Sequence, residues 1–296
     1  METVEERDWL AGRFEENRDH LRAVAYRLLG SISEADDAVQ EAWLRLSRSD
    51  TAVIENLGGW LTTVVARICL DMLRSRASRR EESLGDLTES IARNETGTNP
   101  EQEALLADSV GLALLVVLNR LAPAERLAFV LHDMFAVPFE ELASIVGRSP
   151  SAARQLASRA RRRIQGKTPI SELRVSQERK VVDAFLAALR AGDLDGILAV
   201  LDPDVVRRAD RVAVPAAEAR EIRGARALAN EVLTYRDRAR FARTAIVDGA
   251  VGILVAPQGR LRIALRCRVK DGKIVAMDVI ADPARLSRLE VAVLDD

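Results

Sequence analysis

The sequence predicts a multidomain protein, with two all-α units followed by an α+β unit. Three observations carry this. At 296 residues the chain exceeds a single small domain. Residues 6 to 165 read almost entirely in the helical period and are interrupted by a polar, acidic stretch at about 81–103. Beyond about residue 170 the pattern changes to helix and then to period-two runs separated by turn signals. Helices first and strands later point to a separate α+β domain.

In the first helical segment, Leu21, Val24, Ala25, Leu28 and Leu29 form one apolar stripe that ends at Gly30, a helix-stopping residue. In the second, Ser33 is placed to cap the helix, with Asp36 and Asp37 in the early turns. Its inward face is Ala38, Val39, Ala42, Trp43 and Leu46. The third turns Trp60, Leu61, Val64, Val65, Ile68, Cys69, Met72 and Leu73 inward, while Arg67, Arg74, Arg76, Arg79 and Arg80 make it basic. Residues 81–104 then read as a flexible linker with a short helix at about Leu84 to Ile91. Helices resume over 105–166, and 167–176 reads as a second, short linker.

In the last unit, 177–289, Val181, Val182, Phe185, Leu186 and Leu189 share a helix face, and a short helix follows from Asp193 to Leu201. Asp248-Gly249, Gln258-Gly259 and Asp271-Gly272 separate apolar runs, as in an antiparallel meander.

Composition narrows the class. The two cysteines, Cys69 and Cys267, lie far apart in apolar patterns, which excludes a disulfide framework and suits a reducing compartment. The N-terminal stretch is acidic without an apolar core, and no run approaches the ~20 apolar residues of a membrane span. The expectation is a cytoplasmic protein that needs no membrane, metal or cofactor.

The formal net charge is only −1, yet residues 149–163, "SPSAARQLASRARRR", contain five arginines and no acid. The preceding "FEELASIVGR" supplies a short helix whose Phe139, Leu142, Ala143, Ile145 and Val146 face inward, then Gly147 for a left-handed turn. Ser149-Pro150 gives a cap and a first helical position, so the pair reads as a helix-turn-helix. Ala153, Ala157 and Ala160 permit close helix approach. Arg148, Ser151, Arg154, Gln155, Ser158, Arg159 and Arg162 remain to donate to base edges or phosphates. The alternative is a solvated arginine face, but such faces ordinarily mix signs.

A second basic surface, Arg67 to Arg80, suggests a grip on a separate DNA segment, with Trp60 either core or stacked on an opened base. Asp36, Asp37, Gln40 and Glu41 form an acidic face that would repel DNA and so suits a protein partner, or is simply solvated.

With these motifs in place, the chain resembles the extracytoplasmic-function group of bacterial sigma factors in the sigma-70 family. "AYRLLGSISEADDAVQEAWLRL" and "GGWLTTVVARICLDMLRSRASRR" resemble region 2, a helical bundle. "LNRLAPAERLAFVLHDMFAVPFEELASIVGRSPSAARQLASRARRRI" resembles region 4 with its helix-turn-helix. The resemblance implies that Asp36, Asp37, Gln40 and Glu41 dock on core RNA polymerase. It implies that Trp60, Arg67, Asp71, Arg74 and Arg76 meet the −10 element of promoter DNA, and that the arginine-rich helix enters the −35 groove.

Residues 177–289 are similar to SnoaL-like domains of the NTF2 fold, cones made of a curved sheet and packed helices. Sigma factors with that extension use it to modulate activity, through contact with the sigma domains or linker, and without need of a separate anti-sigma factor. Two of that subgroup's stretches, a Trp-Leu-Pro-Glu-Pro-like linker and a DGGGK-like loop, have no counterpart here; "IRGARALANEV" stands near the latter's place.

NTF2-like folds also host enzymes. Both histidines, His20 and His132, lie outside this unit, and Tyr235 is its sole tyrosine. Asp204, Asp210, Asp248 and Asp278 are scattered at turns or strand ends, so no catalytic role is expected. Arg262, Arg266, Arg268 and Lys270 alternate with Leu261, Ile263, Leu265, Cys267 and Val269, giving a basic sheet face that is either solvated or docked on acids. A helix-turn-helix regulator with a sensing domain, or an NTF2-like enzyme fused to a DNA-binding module, are the rival readings.

Overall fold

The computed structural model describes residues 4–49, 54–82, 111–166, 172–214 and 219–294. It divides into two compact units, one within 1–103 and 118–161, the other within 104–117 and 162–296. Most of the expected 81–104 linker, including its short helix, lies outside the described residues.

In the first unit, α1 (Val4–Leu29), α2 (Ile32–Leu46) and α3 (Leu57–Glu82) pack on one another. The α1 stripe is fully inside, with Leu21, Val24, Ala25 and Leu28 at 0% exposure. Gly30 ends the helix at φ 72°, its N–H bonded to the Tyr26 carbonyl. Each such buried leucine contributes about 1.5–3 kcal/mol relative to exposure. Ser31, not Ser33, caps α2: its Oγ accepts from the Glu34 N–H, and Ser33 lies inside the first turn. The misplacement is local, because either serine precedes the same apolar face and only the backbone decides which hydroxyl meets the free amides. Trp43 is half-buried and tilts against Phe14, 5.1 Å between ring centres. Trp60 is likewise half-buried, and Ala66 and Leu70 complete the inward face of α3.

Next come α4 (Leu112–Leu118), α5 (Pro123–Phe129), a π-helical turn (Val130–Met134), α6 (Phe139–Val146) and α7 (Pro150–Gln165). Gly147 adopts φ 68°, ψ 43° and closes α6 through its N–H to the Ala143 carbonyl. Ser149 Oγ accepts from the Ala152 N–H at 3.3 Å, which caps α7 as expected.

The second unit is α+β. Helix α8 (Glu172–Ala191) reaches back into the expected second linker and buries Val182, Phe185, Leu186 and Leu189. Asp193 caps α9 (Leu194–Val200). Then follow β1 (Leu201–Ala209), β2 (Glu221–Arg223), α10 (Ala225–Leu233), a 3-10 turn (Arg236–Phe241), β3 (Ala242–Val247), β4 (Ala250–Val255), β5 (Ile263–Lys270), β6 (Lys273–Ile280), α11 (Pro283–Arg288) and β7 (Val291–Ala292). The sheet order is β2-β1-β6-β5-β4-β3-β7.

The meander from β3 to β6 is antiparallel, as the turn signals predict. Asp248-Gly249 and Asp271-Gly272 have positive φ throughout and close two-residue hairpins. Gln258-Gly259 instead belongs to a 3-10 turn, so the β4–β5 connection is longer. Strand β1 lies parallel to β6. Pro203 hides it in the sequence, and the pairing shifts register between Leu201 and Val206, where that proline can be accommodated. Within this unit the Val293 N–H donates to the Ile164 carbonyl at 3.0 Å, joining the chain's C-terminal stretch to the end of α7.

Both thiols are buried, and desolvation is the main force pushing each up to about 12. The thiolate is the reactive species, so the native protein is expected to resist an aromatic disulfide reagent at about pH 8. Both thiols should react at once in denaturant, and rapid labelling of folded protein would contradict their placement. A Cβ on Gly147 would meet no atom within 4 Å, so Gly147→Ala adds backbone strain without a clash. A loss of about 1 kcal/mol is expected from urea unfolding, and Gly147→Asn should lose less.

Candidate nucleic-acid interface

Helix α7 has two faces. Ala153, Ala157 and Ala160 are at 0% exposure, with Leu156 and Ile164 nearly buried. Ser151, Arg154, Gln155, Ser158, Arg159 and Arg162 are all exposed on the other side, and Arg148 is exposed in the turn before it. The expected set is therefore brought together on one stripe. Arg154 leans back toward α6, pairing with Glu140 at 3.3 Å and lying over the Phe139 ring at 5.4 Å. Phe139 is only half-buried and stacks on His132, 3.7 Å away. Phe139, expected to face inward, thus holds Arg154 from a half-buried position, and Glu140 directly after it was not singled out in the sequence. Arg161 pairs with Asp133 at 2.5 Å and so is turned from the open stripe.

The basic face of α3 divides. Arg67, Asp71 and Arg74 are exposed, with Asp71 and Arg74 in a loose i,i+3 pair at 3.9 Å. Arg67 also donates to the Ser144 carbonyl of α6 at 3.4 Å. Arg76 differs: it is half-buried, bonds the Leu29 carbonyl at 3.1 Å and forms an ion pair with Glu34. It fastens the α1–α2 corner. The side chains of Arg79 and Arg80 lie outside what is described.

On α2, Asp36, Asp37 and Gln40 are exposed and Glu41 is partly so. Asp36 is held by Arg22 at 2.6 Å and Glu41 by Arg45 at 3.0 Å. Leu44 is 40% exposed and continues the Asp37–Gln40–Glu41 stripe by helical spacing. An apolar side chain inside a polar stripe is the signal that the charge pattern alone did not give.

Arg126 of α5 is fully buried in the first unit. It donates to the Arg27 carbonyl at 3.1 Å and to Asn119 Oδ1 at 2.5 Å. Burial first, and then the neighbouring Arg76 charge, pull it down to about 9, so it remains a cation at neutral pH. His20 is lowered by burial and by Arg27; its ring meets Phe135 edge-on at 5.2 Å. Helix α3 packs on both α5 and α6, so within this unit the two helical regions share one interior.

In the second unit Asp210, Asp248 and Asp278 each have a side-chain partner, and the Asp204 N–H bonds Asp202 Oδ1. Asp210 accepts four backbone N–H groups, from Val212, Ala213, Ala281 and Asp282. Arg266 bridges Asp278 at 3.1 Å and Asp248 at 3.7 Å, while Arg262, Arg268 and Lys270 are exposed. The basic strand face is thus partly paired within its own sheet. Among the described residues no group of His, Cys, Asp or Glu is placed to hold a metal ion, and no helix is long and apolar enough to cross a membrane.

Comparison with known proteins agrees with this layout. The Sigma-70 region 2 family model matches residues 13–79, and the Sigma-70 region 4 model matches residues 111–164. The chain is 41% identical over 288 residues to the ECF RNA polymerase sigma factor SigJ of Mycobacterium tuberculosis, covering 93% of this chain and 92% of that one. It is 34% identical over 294 residues to the probable ECF RNA polymerase sigma factor SigI of the same species, covering 97% and 98%. The crystal structure of M. tuberculosis SigJ aligns over 94% of this chain and 98% of its own, with a TM-score of 0.45 and 34% identity. With likeness of this extent running through both helical regions and onward into the α+β unit, the chain belongs to the ECF RNA polymerase sigma factors and serves transcription initiation.

Proposed function

We propose a division of labour among the three surfaces. The exposed stripe Arg148, Ser151, Arg154, Gln155, Ser158, Arg159 and Arg162 enters the major groove of the −35 element. Trp60, Arg67, Asp71 and Arg74 meet the −10 element, with Arg76 setting the helix position from its internal ion pair. Asp36, Asp37, Gln40 and Glu41 dock on core RNA polymerase. The observation that carries this reading is the two-faced α7: Ala153, Ala157 and Ala160 are at 0% exposure, and Arg154, Arg159 and Arg162 point outward from a capped helix after a left-handed turn. Leu44, exposed beside the acidic residues, supports a protein partner for α2, because apolar contact adds affinity where charge chiefly steers.

The α+β unit modulates this activity in the cytoplasm without catalysis of its own, and an intramolecular contact replaces a separate anti-sigma factor.

Promoter-dependent transcripts are expected when the protein is added to core polymerase with a pool of genomic templates; none from any template would refute the reading. Arg154→Ala with Arg159→Ala should lower −35-dependent promoter affinity at least about ten-fold and flatten its salt dependence. Core binding should be unchanged, and its loss would show that the surfaces are wrongly assigned. Asp37→Lys with Glu41→Lys should do the converse, weakening core binding while sparing α7. Ending the chain after about residue 170 should alter transcript yield; equal output from several promoters would remove the modulatory role.

A further inference from the structure

Two arginines assigned to separate promoter elements hold one short helix. Arg67 of α3, on the −10 side, donates to the Ser144 carbonyl at 3.4 Å. Arg154 of α7, on the −35 side, pairs with Glu140 at 3.3 Å. Glu140 and Ser144 lie about one turn apart on α6, a helix of 8 residues and so about 12 Å long. The centres of the −10 and −35 elements are about 25 base pairs apart, which is about 85 Å of straight duplex. The observed packing therefore cannot serve both elements at once, and region 4 has to leave region 2 before both are engaged.

The junction is fastened by Arg126 of region 4, at 3% exposure. Its Nε and Nη2 donate to the Arg27 carbonyl at 3.3 and 3.1 Å, and its Nη1 donates to Asn119 Oδ1 at 2.5 Å. Arg27 lies in the last turn of α1, where carbonyls have no partner within the helix and the dipole is negative. Region 4 thus caps a helix of region 2. Gly30 makes room for that cap. At φ 72° it carries no side chain, and a Cβ there would meet Asn119 Oδ1 at 3.3 Å and Arg126 Nη2 at 3.5 Å.

We propose that Arg126 is a latch: it holds region 4 against region 2 in a closed form, and it leaves the α1 corner before the −10 and −35 contacts are made together. This rests on the assignment of α3 to the −10 element and α7 to the −35 element.

The latch is reversible for a physical reason. Arg126 is buried against uncharged acceptors, and the neighbouring Arg76, which bonds the Leu29 carbonyl at 3.1 Å, repels it. Opening returns the guanidinium to water and relieves that repulsion, while three hydrogen bonds are lost. The rest of the junction is loosely filled. A cleft of about 360 Å³ lies between Asn17, His20 and Thr62 of region 2 and Phe135, Val137 and Ile145 of region 4. Close packing along the whole junction would make separation far harder.

The test is electron-spin dipolar spectroscopy of the full chain, with labels on Asp19→Cys and Ser144→Cys. Both positions are exposed and adjoin residues of the shared cleft, whereas Cys69 and Cys267 are buried. The chain alone should give one short separation. Core polymerase with a promoter duplex should lengthen it by about 30 Å or more. Arg126→Ala, and Gly30→Asn, which keeps the left-handed turn but fills the corner, should each raise the long-separation population of the chain alone at least about ten-fold. An unchanged separation in a promoter complex that yields transcripts overturns the latch. So does a short separation like that of the unmutated chain in either variant while it melts cooperatively. Should no promoter complex form, the promoter reading fails and the two variants still decide the latch. Should neither variant fold, the lengthening in the unmutated junction decides it.

Discussion

Burial of three alanines organises the DNA-facing end of this protein. Ala153, Ala157 and Ala160 are at 0% exposure, which brings α7 close to its neighbours and leaves it no freedom to rotate. A helix held on its small-residue face must present the opposite face to solvent, and that face carries the arginines. The left-handed Gly147 and the Ser149 cap then fix where α7 begins. Any larger side chain at the alanines would move the helix axis and every outward residue with it.

Charge in this near-neutral chain is sorted by geometry. Acids collect on α2 and cations on α3 and α7, while Arg76, Arg126 and Arg207 are spent internally on carbonyls or carboxylates. Arg126 and Arg207 show the rule for buried cations: each is surrounded by acceptors, because an unpaired buried charge would cost several kcal/mol. Arg76 follows the same logic at half burial, which is why its neighbour Arg74 is free to meet solvent while it is not. Counting arginines on a helix therefore overstates the surface offered to DNA.

Much of this was legible in the sequence. The α1 stripe, the Gly147 turn, the Pro150 start and the Asp-Gly hairpins follow from local rules, and the structure shows each where expected. The cap of α2 was misread as Ser33 because two serines lie within one turn. Strand β1 was missed because Pro203 reads as a breaker, and its partner β6 lies far along the chain. Leu44 was rightly left off the inward face of α2, but its place beside the acidic residues went unnoticed because only charged and polar side chains were read as that surface.

The sequence by itself determined the order of helical and strand-rich segments, the helix-turn-helix and the segregation of charge, since all are set by spacing over a few residues. Tertiary structure decided what distant residues do to one another. It spent Arg126 on a carbonyl 99 positions away, tied Arg266 to Asp278 across a strand pair, and left a cavity beside the Arg207–Glu231 pair. Those outcomes depend on which surfaces meet once the chain has closed, and no local pattern encodes that meeting.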